Sequence, residues 1–249
     1  MKVTEYTRLL VFDQGNTLVK LGLFVDDILV DHKQYESSAN EDLSKYIEEL
    51  RVHYPDCQFF GISSGDSNAL PEIFKEGCAT REQIKGPLEV SYKTPKTLGM
   101  DRLAMASSAN LEYGGDVLVV TMGTCITYNI VKKSSFLGGA ISPGWAMRYR
   151  AMHEFTAGLP LATFDESSAL LGVDTHGSLR AGVDIAVQVE VEGMIERYCH
   201  QYDIKCVVLC GGDAKRLSKP LKKYIFAPAN YELHALKRIH DYFETTGQL

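Results

Sequence analysis

The stretch LLVFDQGNTLVKLGLFV, Leu9 to Val25, sets two apolar runs on either side of a tight turn and places an aspartate at its mouth. LLVF (Leu9–Phe12) reads as a buried strand and LVKLGLFV (Leu18–Val25) as a second. A bland hairpin needs only Gly15 and Asn16. Asp13 and Thr17 are surplus to the turn, and they raise a chemical question. A glycine between two strands lets the backbone come close to a ligand, and exposed N–H groups with a hydroxyl can hold phosphate oxygens. A carboxylate at the end of a strand suits a magnesium ion, which binds through water to few protein oxygens. A hairpin in which Gly15 and Asn16 serve turn geometry alone accounts for the same residues. Both readings stand at this point.

Working outward, the same pattern returns. Residues 117–125, VLVVTMGTC, repeat the order of 9–17: an apolar strand, two residues, a glycine, then small or hydroxyl residues leading into a further extended run, here Ile126 to Val131. Later in each half, QFFGISSG (58–65) and CVVLCGGDA (206–214) are strands that end in glycine and small residues. Two echoes in one order predict a duplicated α/β chain, with a cleft between its halves. Helical stripes fill the gaps: Leu43, Tyr46, Ile47, Leu50 and Tyr54; Val183, Val187, Val191, Met194, Ile195 and Tyr198; and Leu236, Ile239 and Phe243, after an Asn230 cap. These stripes are core rather than site.

Bulk composition bounds the function. The 249 residues are 45% hydrophobic and 23% charged, enough for one large or two medium domains. A net charge of −6 gives no support to a nucleic-acid or anionic-membrane surface. MKVTEYTRLLVFD lacks the apolar core of a signal peptide, and no run approaches the roughly twenty apolar residues of a membrane span. Six cysteines without a CxxC pair read as reduced thiols, and seven scattered histidines as no zinc site. A cytoplasmic protein is expected.

Four further motifs can carry chemistry. Thr121-Met122-Gly123-Thr124 offers a second turn with backbone donors, or a structural hairpin lacking a carboxylate at the Asp13-equivalent place. Gly211 and Gly212 in CGGDAKRL allow a flat ring to lie on bare backbone, or a tight strand-to-helix connection. In YKTPKTLGMDRLAMASSA (92–109), Pro95 and Gly99 break any earlier element, and a helix opens near Met100 with Asp101 and Arg102 in its first turn. There the helix dipole favours an aspartate; equally, a carboxylate placed to take a hydroxyl proton sits beside a guanidinium suited to phosphate or carboxylate. LGGAISPGWAMRYRAM (137–152) reads as a strand running into a bend, then a helix carrying Trp145, Met152, Phe155 and Leu159 as packing residues or against a partner subunit. No Walker loop of the form GxxxxGK[ST] is present.

The set DQGNT at 13–17, Tyr92 with Pro95, GMDR at 99–102, GTCIT at 123–127, GGAISPG at 138–144, Thr175 with GS at 177–178, and CGGDA at 210–214 resembles, in this order, type III pantothenate kinase. That resemblance implies the actin-like ATPase and sugar-kinase (ribonuclease H-like) fold: an N-terminal α/β half, 1–112, and a C-terminal half, 113–249, around a central cleft. It implies ATP-dependent phosphorylation of pantothenate, the first step of coenzyme A biosynthesis, by a homodimer. Carried over by motif, Asp13, Gln14, Gly15, Asn16, Thr17, Leu18, Val19 and Lys20 would serve ATP phosphates, with Asp13 holding Mg2+. Lys20 equally reads as a solvated strand residue. Thr124 would add a phosphate contact, and Gly211 and Gly212 would meet the adenosine. Tyr92, Gly99, Met100, Asp101, Arg102 and Thr175 would hold pantothenate, with Asp101 as proton acceptor. At Thr121 the family usually carries an aspartate that binds K+ or another monovalent cation such as NH4+, and at Asn129 often a second acid. Threonine offers a neutral oxygen, so a monovalent-cation site is expected to be weak, rebuilt from other oxygens, or absent. The rival readings are another small-molecule kinase or a polyphosphate-type phosphatase of the superfamily, which lack the Tyr92…GMDR spacing, and a non-enzymatic regulator, which has no need of Asp13, Asp101 and Arg102 together.

Overall fold

The computed structural model describes residues 7–15, 17–64 and 72–247, so Asn16 and Gly65 of the motifs above lie outside the described residues. The chain divides into two compact units: Met1–Leu88 with Lys93–Ser108 and Glu232–Leu249, and Glu89–Tyr92 with Ala109–Tyr231.

The first unit is built on four strands: β1 (Arg8–Gln14), β2 (Leu18–Val25), β3 (Ile28–Glu36) and β4 (Gln58–Ser63), in the order β3-β2-β1-β4. β1 pairs antiparallel with β2 and parallel with β4, and helix α1 (Asn40–His53) makes the crossover between β3 and β4. Strand alternation assigns the two faces. Leu10 and Phe12 of β1, with Val19, Leu21 and Leu23 of β2, join Leu43, Ile47 and Leu50 of α1 and Phe74 of α2 (Glu72–Gly77) in one core. Leu9, Val11 and Phe24 are buried on the opposite face. There α8 (Tyr231–Thr246) lies against the sheet: the Phe24 ring meets His234 edge-on at 5.4 Å, and Phe60 meets His240 at 5.2 Å. Two further helices, α3 (Arg81–Lys85) and α4 (Met100–Tyr113), follow. The start of α4 is rich in small residues, with Ala104, Ala106, Ser107 and Ser108 all buried, which lets the helix pack closely.

The second unit repeats the plan. β6 (Val117–Met122), β7 (Cys125–Lys132), β8 (Ser135–Pro143) and β9 (Cys206–Cys210) reproduce the β1 to β4 connections, antiparallel twice and then parallel from first to fourth. Two short strands, β5 (Glu89–Val90) and β10 (Ile225–Phe226), extend the edges, giving the order β10-β9-β6-β7-β8-β5. The two echoes in the sequence are therefore two copies of one strand topology.

Between β8 and β9 lie α5 (Trp145–Glu154), α6 (Thr175–Arg180) and α7 (Ala186–Tyr202), the last two joined by a π-helical turn over Ala181–Ile185. The stripe Val183, Val187, Val191, Ile195 is buried as expected, but it gives no sign of this widened turn at its start. The turn carries Asp184, 5% exposed, which accepts hydrogen bonds from the Tyr149 hydroxyl at 2.7 Å, the Ser168 hydroxyl at 2.7 Å and the Asp165 N–H at 3.1 Å. A buried carboxylate must find several donors, and the π turn aims it at them.

Three local expectations need correcting. Asn230 was read as the N-cap of the last helix, yet its φ is +57°, left-handed rather than extended, so it shapes the preceding turn. After CGGDA only one 3-10 turn forms, Ala214–Leu217, rather than a full helix. Helix α5 ends at Glu154, which leaves Phe155 outside it and 85% exposed, so the packing alternative of its two readings fails.

Candidate active site

Alternation along β1 and β2 decides what the first hairpin presents. Gln14 follows Leu10 and Phe12 inward; it is 2% exposed, and its Oε1 accepts from the Ser63 hydroxyl at 2.6 Å. Val19 is buried in the same core, so these two residues offer a ligand only their backbone. Asp13 points to the opposite face and is half-buried. Lys20 is its register partner across the antiparallel pair, so the two side chains stand on one face as neighbours. Lys20 is not the solvated residue that was one of its two sequence readings: its Nζ donates to Glu232 Oε1 at 2.5 Å, in the first turn of α8.

The turn itself is braced from behind. Gly15 N–H donates to Leu18 O at 2.9 Å, Ser37 Oγ to Gly15 O at 3.1 Å, Ser37 N–H to Thr17 O at 3.0 Å, and Ser64 N–H to Gln14 O at 2.7 Å. The Gly15 N–H thus closes the hairpin and is spent there. Exposed Thr17 presents its hydroxyl, and Leu18 is half-buried beside it.

Burial pushes the Asp13 carboxyl up to about 7. The Lys20 ammonium opposes that shift, and the carboxylates of Glu232 and Asp101 add to it. Asp101 is thus near enough for its charge to be felt at Asp13, although 88 positions separate them in the sequence. A half-buried carboxylate whose ionised form is disfavoured by burial fits a divalent cation, which would return it to that form. Water would be the cation's other ligands, since no cluster of three acidic, His or Cys side chains surrounds it among the described residues.

Asp101 is exposed in the first turn of α4, and Gly99 caps that helix, its carbonyl accepting from Leu103 N–H at 3.1 Å. A Cβ at position 99 would overlap Asp101 Oδ1, so glycine is what allows the carboxylate to fold back over the helix start. Met100 is half-buried, and Arg102 turns inward at 6% exposed, so it is a buried guanidinium rather than a surface anion hook.

In the second unit, the turn joining β6 and β7 leaves Thr124 exposed. Its carbonyl accepts from Gly144 N–H at 3.0 Å, and a Cβ at Gly144 would overlap Gly123 O. The Pro-Gly bend of GGAISPG is the back wall of this turn. Gly211 has φ +94°, and an added Cβ would run into Met122 O; the Asp213 N–H donates to that same oxygen at 3.1 Å. The glycine pair therefore lies flush on the end of β6, with Gly212 exposed. Tyr92 packs edge-on to Phe136 at 5.8 Å and lies over Gly138, whose φ of +124° suits glycine. Thr175 opens α6 and, with Met152, Leu159, Asp174, Ser178 and Leu179, lines an open pocket of ≈ 530 Å³.

The places of the absent family acids carry no charge. Thr121 Oγ1 lies 3.3 Å from Cys210 Sγ, and buried Asn129 donates its amide N–H to Thr127 Oγ1 at 3.1 Å. Both positions thus offer a monovalent cation neutral groups only, without the charge of a carboxylate.

Sequence reasoning missed Glu232. No motif surrounds it; its only signal is an acid in the first turn of a helix, which is commonplace.

Comparison with known proteins bears on the assignment. The family model described as type III pantothenate kinase matches residues 9–197. A type III pantothenate kinase of Phocaeicola vulgatus is 40% identical over 240 residues, covering 94% of this chain and 98% of its own. One of Flavobacterium johnsoniae is 34% identical over 242 residues, covering 94% and 98%. Among solved structures, a Campylobacter jejuni protein described as a conserved Baf family transcriptional activator aligns with a TM-score of 0.64 at 19% identity, covering 96% of this chain and 100% of its own. Component A of the Acidaminococcus fermentans (R)-2-hydroxyglutaryl-CoA dehydratase aligns at 0.54 and 15%, covering 96% and 99%. These structural likenesses speak for the fold alone, which is the duplicated actin-like ATPase and sugar-kinase fold. Matched over most of its length by the family model and by relatives above 30% identity, the chain belongs to the type III pantothenate kinase family.

Proposed function

We propose that the protein transfers the γ-phosphoryl group of ATP to the primary hydroxyl of pantothenate, forming 4'-phosphopantothenate and ADP on the route to coenzyme A. One observation carries the residue assignment: Asp13 and Asp101 belong to the same compact unit and feel each other's charge.

Phosphoryl transfer asks a protein for alignment and charge neutralisation more than for covalent chemistry. A primary alcohol does not lose its proton before attack. Asp101 takes that proton as the new O–P bond forms, while the bond from the γ-phosphorus to its bridging oxygen breaks and ADP leaves with the electron pair. Help of this kind contributes typically 10²- to 10⁴-fold. Asp13 holds Mg2+, which when bound offsets charge on the phosphates. The Thr17 hydroxyl, the backbone of the 13–20 hairpin and the Lys20 ammonium serve the phosphate oxygens. Thr124 adds a phosphate contact, and Gly211 and Gly212 give the adenosine a flat seat. Tyr92, the Gly99 to Arg102 segment and Thr175 hold pantothenate. Arg102, being buried, acts by fixing the start of α4 and adding positive charge behind Asp101. Any monovalent-cation site is weak, rebuilt from other oxygens or absent, because Thr121 and Asn129 supply no charge for one.

We also read the protein as a cytoplasmic homodimer. Supporting the dimer, the second unit exposes a set of large apolar side chains that a partner would cover, with Phe155 85%, Leu170 81%, Leu171 78% and Val173 90% exposed. Among the described residues no helix is long and apolar enough to cross a membrane.

An ADP-release assay with and without pantothenate tests the activity. The substitution Asp101→Asn tests the base: turnover should fall at least about a hundredfold while fold and ATP binding persist. Near-normal turnover from a folded variant rejects Asp101 as proton acceptor.

A further inference from the structure

We propose that Glu232 is a positioning residue for phosphoryl transfer: it holds the Lys20 ammonium at the hairpin mouth, on the face that carries Asp13. The inference rests on Asp13 and Lys20 serving the phosphate side of the reaction, and it adds a residue beyond the 9–197 segment that the family model matches.

The geometry is as follows. Lys20 and Asp13 are register partners on one face of the β1–β2 pair. Their Cβ atoms are therefore about 5 Å apart, well within reach of a four-carbon lysine stem. An isolated pair so placed would close on itself, and a metal would have to compete with the ammonium for the carboxylate. Glu232 gives the ammonium a second acidic acceptor: Lys20 Nζ donates to Glu232 Oε1 at 2.5 Å, with the two side chains only 29% and 14% exposed. Glu232 is well anchored for this task. It stands in the first turn of α8, where the helix dipole favours a carboxylate. The next two residues lock that turn onto β2: His234 against Phe24, and Leu233 over Gly22, where a Cβ would come within 3.0 Å of Leu233 Cδ1. Gly22 stands two positions beyond Lys20 on the same face, so the bare backbone there is what lets α8 approach and bring Glu232 to the lysine.

The arrangement leaves the cation useful. An ammonium has three donors, so Lys20 can keep its bond to Glu232 while giving others to phosphate oxygens. Holding a long side chain in one geometry beforehand also spares the entropy of ordering it when nucleotide arrives. Glu232 thus acts through Lys20: it pre-places the cation and shares its charge with Asp13.

Steady-state kinetics of the full chain with MgATP and pantothenate test this, with circular dichroism and melting confirming the fold of each variant. Glu232→Gln should raise the KM for MgATP about tenfold while the KM for pantothenate stays within about twofold. Glu232→Asp, which keeps the charge on a shorter arm, should give an intermediate rise of about threefold; it carries the test if the glutamine variant does not fold. Lys20→Met should also raise the KM for MgATP, and the double variant Lys20→Met/Glu232→Gln should be no worse than Lys20→Met alone, because Glu232 acts through the lysine. The proposal is overturned by an unchanged KM for MgATP in folded Glu232 variants, by an equal rise for both substrates, or by effects that add in the double variant. If Lys20→Met itself leaves the KM for MgATP unchanged, the phosphate role of Lys20 fails and the proposal with it. If Lys20→Met raises it and the Glu232 variants do not, only the positioning role fails.

Discussion

Replacing Asp13 by Asn should make the ligand-free protein more stable and the enzyme inactive. The folded carboxyl has its pKa pushed from 3.8 to about 7, chiefly by burial. Each unit corresponds to about 1.4 kcal/mol, so the full shift corresponds to about 4 kcal/mol; the partial exposure of the side chain discounts this to about 2–4 kcal/mol. The sign follows from proton uptake. Below pH 3.8 the carboxyl is protonated folded or unfolded and costs nothing. Between there and about 7 the unfolded chain gives up the proton while the folded one keeps it, so stability falls as pH rises. Above about 7 the folded protein carries an ionised, poorly solvated carboxylate and the cost is complete. Asparagine fills nearly the same space and never ionises. In chemical denaturation of the ligand-free protein, Asp13→Asn should therefore gain about 2–4 kcal/mol at pH 8 and less than about half of that at pH 5. In a thermal melt at pH 8 the gain corresponds to very roughly 5–15 °C for a chain of this size. Adding Mg2+ with ATP should stabilise the natural protein and leave the variant nearly unmoved. A variant no more stable than the natural protein at pH 8, or one whose advantage is equal at pH 5 and pH 8, would falsify the account of Asp13.

Gly99→Ala should put its methyl where Asp101 Oδ1 lies. The carboxylate can rotate away, so melting should change by no more than a few degrees while turnover falls about tenfold or more; unchanged turnover in that variant would show that the carboxylate position is not critical. Gly211→Ala faces backbone instead, at φ +94° against Met122 O, and should lose about 2–4 kcal/mol of stability as well as ATP affinity. An alanine variant as stable as the natural protein would refute the tight seat assigned to that glycine. Exchanging K+ for tetramethylammonium at constant ionic strength should leave turnover within about twofold, since Thr121 and Asn129 provide no anionic ligand; a saturable K+ requirement would contradict this.

How much was legible in the sequence depends on the range over which each feature is decided. The strand–turn–strand units were legible because alternation and turn residues are local, and β1, β2, β6, β7 and β9 lie where LLVF, LVKLGLFV, VLVV, ITYNIV and CVVLC placed them. The duplication was legible because the copies keep one order of local signals. Asp13, Gly99 and Asp101 stood out because each sits at an element boundary, where a functional residue breaks the apolar pattern. The π turn at Ala181–Ile185 was not legible, since a one-residue widening barely disturbs a helical stripe. Nor was the partner of Gln14: alternation turns that side chain inward, but the Ser63 hydroxyl that it binds lies on a neighbouring strand.

The sequence by itself therefore determined the strand–turn–strand units, the hairpin with its aspartate and the glycines that let backbone pack on backbone, because these follow from φ preferences and periodicity within a few residues. Only the tertiary structure decided which residues keep company with Asp13. Lys20 arrives across a strand pair, Asp101 from the start of α4, and Glu232 from the first turn of the last helix. The charge of a carboxylate, and whether it waits for a metal, depend on neighbours within a few ångströms, and chain distance carries no information about those.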